Sequence, residues 1–292
     1  MPELPEVETI RLSLDKHLSG KRIVSVEGGG GRLVRNNPGG MVQLRDSLND
    51  AGIKSVERRG KFMWMILDGR AEPTLVIHLG MSGQVRTATH PPAQLDRHEH
   101  VRLTLSDGTV ARFVDPRMFG HLTLSELVED GRGRQVPEIA RHIAPDLLER
   151  RDGDDLLELA QRMHTRNRSI KTMLLDQGLV SGVGNIYADE GLFRAGIQGR
   201  SLGVSLSVEQ LGSLLENTRE VMTQAVAAGG TSFDTLYVDA DGNPGYFERE
   251  LKVYGRENEE CLVCGGPIVR ETIGGRSHFH CATCQRVVVS QT

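Results

Sequence analysis

The chain has no long apolar run. None of its uninterrupted hydrophobic stretches approaches the roughly 20 residues that cross a bilayer, and its opening, MPELPEVETI, has neither the basic n-region nor the apolar core of a secretory leader. These two absences argue against a membrane-embedded or exported protein and for a cytoplasmic one. Cysteine is scarce, with four in 292 residues, which does not fit a small disulfide-dense scaffold. An excess of positive charge is also missing. Lys and Arg number 35 against 39 Asp and Glu, a formal net charge of -4, and taken alone this speaks against a nucleic-acid partner. No internal repeat marks a solenoid or propeller.

What is present is enough for two ordinary domains, each with a core of its own: 38% of residues are hydrophobic and 25% charged. Net charge also hides an uneven distribution. Acids gather at 152–158, whereas RMHTRNRSIK at 162–171 carries four basic side chains besides His164 and no acid. Such a stretch is either a solvated face or a source of phosphate contacts.

Periodicity divides the chain. Val7, Ile10, Leu14 and Leu18 form one helical stripe, with Gly20 as a stop. RIVSVE, KFMWMILD, TLVIHL, VRLTLS and TVARFVD follow as short strands, the last two joined by Asp107-Gly108, a strong hairpin signal. Residues 1–136 therefore read as an antiparallel β domain with a leading helix, and 137–150 as a linker. Over 151–245 helices are expected at 154–164, 169–177, 186–195 and 208–228. The last has Ser207 and Gln210 in capping-box spacing and ends at Gly229-Gly230. Residues 246–292 hold every cysteine.

Cys261, Cys264, Cys281 and Cys284 are spaced C-x2-C-x16-C-x2-C. In an oxidising compartment they would make two disulfides; in a cytosolic protein the same spacing holds zinc. Four thiolates close a tetrahedral shell and leave no place for water, so one structural Zn2+ is expected, doing the work of a core that so short a module cannot build. His278 and His280 flank Cys281 as alternative donors. At the other end, Pro2 is small enough for Met1 to be removed, which would leave a secondary amine. Such α-amino groups titrate near about 8, low enough for a useful neutral fraction, and amines attack sugar carbons to form Schiff bases. Glu3 beside it is a carboxyl able to move protons. Pro and Glu at a frayed terminus would look the same.

Five separated motifs decide between these readings. MPELPEVET, HLGMSG (78–83), DPRMFG (115–120), LLDQGLVSGVGNIYADEGLFRAGI (174–197) and GGRSHFHCATCQ (274–285) occur in the order, and with the end-to-end extent, that resembles the formamidopyrimidine-DNA glycosylases of bacteria. The opening resembles these enzymes more than their endonuclease VIII relatives. The resemblance implies an α+β multidomain chain: an N-terminal antiparallel β-sandwich with a flanking helix, a helix-two-turn-helix domain and a C-terminal zinc finger. It further implies a monomer that binds damaged double-stranded DNA between its domains, within the nucleoid.

The implied reaction is removal of an oxidised purine, followed by strand cleavage through β- and δ-elimination. Pro2 would be the nucleophile, Glu3 the acid/base, Lys61 the residue moving the proton of β-elimination, and Arg276 the finger arginine of δ-elimination. Met81, Arg117 and Phe119 would fill the gap left by the flipped nucleotide, and His98, Arg166, Lys171 and Asn185 would grip DNA. Departures from the family pattern are Met118, where a second Arg is common, Gly199, where Pro is common, and a lesion-reading loop about one residue longer around 231–247. Two rivals remain: an endonuclease VIII-like preference for oxidised pyrimidines, and a non-catalytic zinc protein that binds damaged DNA.

Overall fold

The computed structural model describes residues 2–68, 74–90, 94–149, 153–231, 240 and 245–288. The chain forms two compact units, Met1–His142 with Ala228–Tyr246, and Ile143–Ala227 with Phe247–Thr292.

The first unit opens with α1 (Leu4–Leu18), for which Glu3 is the N-cap and Pro5 lies in the first turn, where a missing N–H costs nothing. Val7, Ile10, Leu14 and Leu18 are all 3% exposed or less, as the stripe requires. Gly20, at φ 81°, turns the chain away. Then come β1 (Ile23–Glu27), α2 (Gly40–Leu48), β2 (Gly52–Arg59), β3 (Phe62–Asp68), β4 (Thr74–His78), β5 (Gln84–Ala88), β6 (Glu99–Leu105), β7 (Val110–Val114), β8 (His121–Ser125), β9 (Leu127–Glu129) and β10 (Gln135–Pro137). Two four-stranded sheets, β1-β6-β7-β5 and β2-β3-β4-β8, are antiparallel throughout.

Alternate residues explain the sandwich. Val26, Val101, Leu103 and Phe113 of one sheet share a core with Val56, Met63, Met65 and Ile77 of the other. The opposite face of β3 places Trp64 with Val76 and Val136 in a small second cluster. The Asp107-Gly108 turn closes as expected, Leu105 N–H donating to the Thr109 carbonyl at 2.8 Å.

Residues 228–246 group with this β unit and not with the helices that the sequence pattern joins them to. Gly229 and Gly230, at φ 79° and 83°, turn the chain out of the preceding helix. Glu6 then captures Thr231, and the Ala240 carbonyl accepts Thr87 N–H at 2.8 Å. Residues 232–239 and 241–244, most of the expected lesion-reading loop, lie outside the described residues.

The second unit holds α3 (Gly153–His164), α4 (Ile170–Leu174), α5 (Asn185–Arg194), α6 (Val208–Ala227), β11 (Ile268–Ile273) and β12 (Arg276–Cys281). The capping box at α6 is present: Ser207 N–H donates to Gln210 Oε1 at 2.8 Å and Gln210 N–H to Ser207 Oγ at 3.2 Å. Helix α4 is shorter than the 169–177 expected. Asp176 ends the run by accepting Gly178 N–H at 3.1 Å, and the Gln177 amide folds back onto the Leu175 and Val183 carbonyls at 3.0 Å. Strands β11 and β12 form a hairpin whose two-residue turn is Gly274-Gly275, at φ 57° and 76°, the conformation of a type I′ turn. Among the described residues no helix is long and apolar enough to cross a membrane.

Candidate active site and zinc finger

Pro2 and Glu3 are buried at the N-terminal end of α1. Glu3 is held twice over by its capping box with Glu6: its side chain takes the Glu6 backbone N–H, and its own N–H donates to Glu6 Oε2 at 2.9 Å. The other Glu6 oxygen accepts both the N–H and the hydroxyl of Thr231, each at 2.9 Å. Glu3 and Glu6 are therefore fixed at the head of α1.

Lys61 lies in the two-residue turn between β2 and β3, after Gly60 at φ 56°. Across the next three strands the register aligns Phe62, His78 and His121. Phe62 meets His78 at 4.6 Å between ring centroids, and the two imidazoles stack at 5.2 Å. Burial, with the positive charge of Lys61 and Arg35, lowers the His78 pKa from 6.5 to about 4. Burial and its histidine neighbour lower His121 likewise to about 4. The motif HLGM points to Met81 and leaves His78 unmarked. A titratable type near an expected catalytic lysine is the signal the sequence offers for it.

These two histidines give a pH prediction. The unfolded chain takes up the protons near pH 6.5 and the folded chain only near 4, so acid favours unfolding. Their contribution is intact above pH 6.5 and is lost as the pH falls toward 4. Between pH 7 and 4.5 the loss at His78 is about 2 kcal/mol. The urea midpoint of the wild type should fall further between pH 7 and 4.5 than that of His78→Gln; parallel pH profiles would refute the assignment.

The wedge candidates lie on two loops that cross. Asp115, with no exposure, organises DPRMFG: Oδ1 accepts the Ser82 hydroxyl at 2.5 Å and Arg117 N–H at 3.2 Å, and Oδ2 accepts Gly120 N–H at 2.8 Å. Gly80, at φ 63°, passes so close that a Cβ there would lie 2.5–2.8 Å from the Phe119–Gly120 backbone. Only glycine permits this crossing, which brings the Met81 loop against the Phe119 loop. Arg117 and Phe119 are both exposed, the guanidinium 4.9 Å from the ring centroid. Half-buried His98 is tied to the same turn, its carbonyl accepting Asp115 N–H at 2.9 Å.

In the second unit Arg166 is half-buried just after α3, and Asn185 begins α5 with its Oδ1 buried and without a hydrogen-bond partner among the described residues. Arg276 is exposed at the first position of β12. Lys171 requires a correction. Its side chain has no exposure; the ammonium donates to Asp189 Oδ1 at 2.7 Å and to the Ser277 carbonyl. It is an internal ion-pair partner and is not displayed to phosphate. The basic stretch it belongs to gives it the look of a surface cation.

The four cysteines converge. Cys261 and Cys284 Sγ are 3.9 Å apart and Cys264 and Cys281 Sγ 3.4 Å, far beyond the roughly 2.05 Å of a disulfide and close to the edge of a tetrahedron with about 2.3 Å zinc–sulfur bonds. Backbone N–H groups of Val263, Gly266 and Cys284 point at these sulfurs at 3.3–3.5 Å, as suits thiolates. Hydrogen bonding to the Cys264 thiol, then burial, push the Cys284 pKa up, a cost that a bound cation removes. The donor set fits one structural zinc. A second group, Glu271, His278 and His280, also converges, but Asp189 holds His278 Nδ1 at 2.6 Å and Gln198 and Arg200 occupy the Glu271 oxygens. The four cysteines by themselves complete a zinc shell, so neither histidine is needed for it.

Comparison with known proteins covers both units. Residues 1–122 match the model of the formamidopyrimidine-DNA glycosylase N-terminal domain, 143–236 the H2TH domain of the same enzymes, and 258–287 the zinc finger found in FPG and IleRS. Formamidopyrimidine-DNA glycosylase of Nocardia farcinica is 45% identical over 294 residues, covering 98% of each chain. That of Mycobacterium avium is 46% identical over 288, again 98% of each. Among solved structures, Lactococcus lactis Fpg in complex with abasic-site DNA aligns at TM-score 0.80 and 30% identity, over 97% of this chain and 99% of that one. A mutant of the Lactococcus lactis enzyme with Fapy-dG DNA aligns at 0.81 and 30%, over 98% and 100%. The chain belongs to the formamidopyrimidine-DNA glycosylase family, the DNA glycosylases of base excision repair.

Proposed function

We propose that this protein is a bifunctional enzyme, a glycosylase for oxidised purines in double-stranded DNA and a lyase at the abasic site it creates. The observation that carries the proposal is the buried Pro2-Glu3 terminus, fixed by Glu6 at the head of α1. With Met1 removed, the Pro2 nitrogen attacks the sugar C1′, the bond to the damaged base breaks, and Glu3 supplies the proton that the departing base or opening sugar needs. Breaking the C1′–O4′ bond opens the sugar to an iminium, which acidifies C2′. Lys61 moves the C2′ proton and the C3′–O bond breaks; a second elimination, with Arg276 on the phosphate, breaks the C5′–O bond, and water then hydrolyses the iminium, freeing Pro2 and leaving a one-nucleotide gap.

Damaged duplex DNA is the partner, and the relatives solved with abasic-site and Fapy-dG DNA support this. Flipping the nucleotide costs a few kcal/mol. Met81, Arg117 and Phe119 fill the space it leaves, while His98, Arg166 and Asn185 hold the backbone. The enzyme works as a monomer in the cytoplasm, on the nucleoid.

Duplexes with 8-oxoguanine opposite C and thymine glycol opposite A test the specificity. Faster release of 8-oxoguanine, with products carrying phosphate at both ends of the gap, is expected. Faster release of thymine glycol would assign the protein to oxidised pyrimidines, and binding without release of either base would make it a non-catalytic reader.

A further inference from the structure

We propose that Asp189 is a positioning residue for Arg276, acting through His278 and the backbone of β12. The inference rests on the role just given to Arg276 in the second elimination. Arg276 makes no side-chain hydrogen bond or ion pair among the described residues and pairs only through its backbone, with Ile273 across the Gly274-Gly275 turn. The direction of its guanidinium therefore depends on where the end of the hairpin is held. A two-stranded hairpin is marginal by itself, and the cysteines grip this one at its far end, where Cys281 closes β12.

Asp189 supplies the other grip. The three residues that follow Arg276 are all tied to one buried ion pair. Ser277 gives its carbonyl to the Lys171 ammonium. His278 Nδ1 donates to Asp189 Oδ1 at 2.6 Å, and Phe279 N–H donates to Asp189 Oδ2 at 2.9 Å. Lys171, Asp189 and His278 have no side-chain exposure. Near the tip, Gly274 lies so close to Thr172 of α4 that a Cβ would come 2.6 Å from its Cγ2. The hairpin is thus held at both ends, by the cysteines at its base and by α4 and α5 near its tip.

Gly199 completes the set. Its N–H donates to His278 Nε2 at 3.3 Å, and a Cβ at this position would lie 2.9 Å from that nitrogen. The proline common here in the family would bring both a Cβ and a missing N–H. Glycine leaves room for the imidazole that Asp189 holds and gives it a donor.

A double-mutant cycle on the full-length zinc-loaded protein separates positioning from general support. The readout is the ratio of β- to β,δ-elimination products on an abasic-site duplex, with zinc content confirmed for each variant. Asp189→Asn is expected to raise that ratio about tenfold. In the Arg276→Ala background the same change should move it less than about twofold, since no guanidinium is left to position. Gly199→Ala, which presses on His278 without altering a charge, should shift the ratio in the same direction and carries the cycle if Asp189→Asn does not fold. Equal effects with and without Arg276, or an unchanged ratio in both positioning variants, would overturn the proposal alone. An unchanged ratio in Arg276→Ala would instead remove the role of Arg276 and the proposal with it.

Discussion

Adding one residue ahead of Pro2, so that its nitrogen becomes an amide, is expected to abolish borohydride trapping on an abasic-site duplex. An amide nitrogen shares its lone pair with the carbonyl and does not attack C1′. Pro2→Gly keeps a free amine but loses the ring that fixes its direction, and should slow trapping about 100-fold. Both variants should keep the fold, because the bonds around Glu3 and Glu6 do not use the Pro2 nitrogen. Intact mass of the wild type is the companion measurement, since a retained Met1 would by itself block the chemistry. Undiminished trapping by the extended protein would show that another amine is the nucleophile, and Lys61 would be the next to test.

Removal of zinc has the second large effect. Structural zinc binds with an apparent free energy of about 10–16 kcal/mol, most of which is folding energy for a module with so small a core. That core comprises Val253, Cys261, Ile268, Phe279 and Cys281, with Phe193 of α5 against it. Chelation or Cys264→Ser should release the hairpin, lower affinity for an abasic-site duplex about 100-fold at fixed salt and reduce lyase activity in parallel. The single tryptophan, Trp64, is buried in the β unit, so its emission reports on that unit alone. It should not move as affinity falls. A concurrent shift in Trp64 emission would mean that the metal supports more than the finger, and unchanged affinity without zinc would contradict its role in DNA binding.

The parts of this fold legible in the sequence are those whose signals are local. The α1 stripe, the Asp107-Gly108 turn, the capping box at Ser207 and the cysteine spacing each lie within a few residues or repeat at short intervals, and each appears in the structure. Strand β2 is not legible because its charges imitate a surface. Arg58 and Arg59 are buried on it, paired with Glu8 at 2.8 Å and Asp130 at 2.6 Å, partners 50 and 71 residues away. Helix α2 buries only Leu44 and Leu48 and starts from glycines without a side-chain cap, so neither period nor cap announces it. Lys171 misleads for the same reason as β2: its counter-charge sits 18 residues on at Asp189, and its other acceptor, the Ser277 carbonyl, 106 residues on. The candidate catalytic residues are named through family resemblance. Their support, namely the Glu6 bonds, the His78–His121 stack and the Asp115 turn, is visible only once the chain is folded.

Glu6 has a consequence of its own. One of its oxygens holds the backbone of Glu3, and the other holds Thr231, where the lesion-reading segment begins. A single carboxylate thus joins Thr231, at the start of the segment expected to meet the base, to Glu3, the residue expected to act on it. Whatever coupling this carboxylate carries between the two sides acts equally in both directions, by the reciprocity of linked equilibria. With such coupling, a base that docks well would steady Glu3, the residue expected to donate the proton, so that discrimination between lesions would appear in turnover as well as in binding.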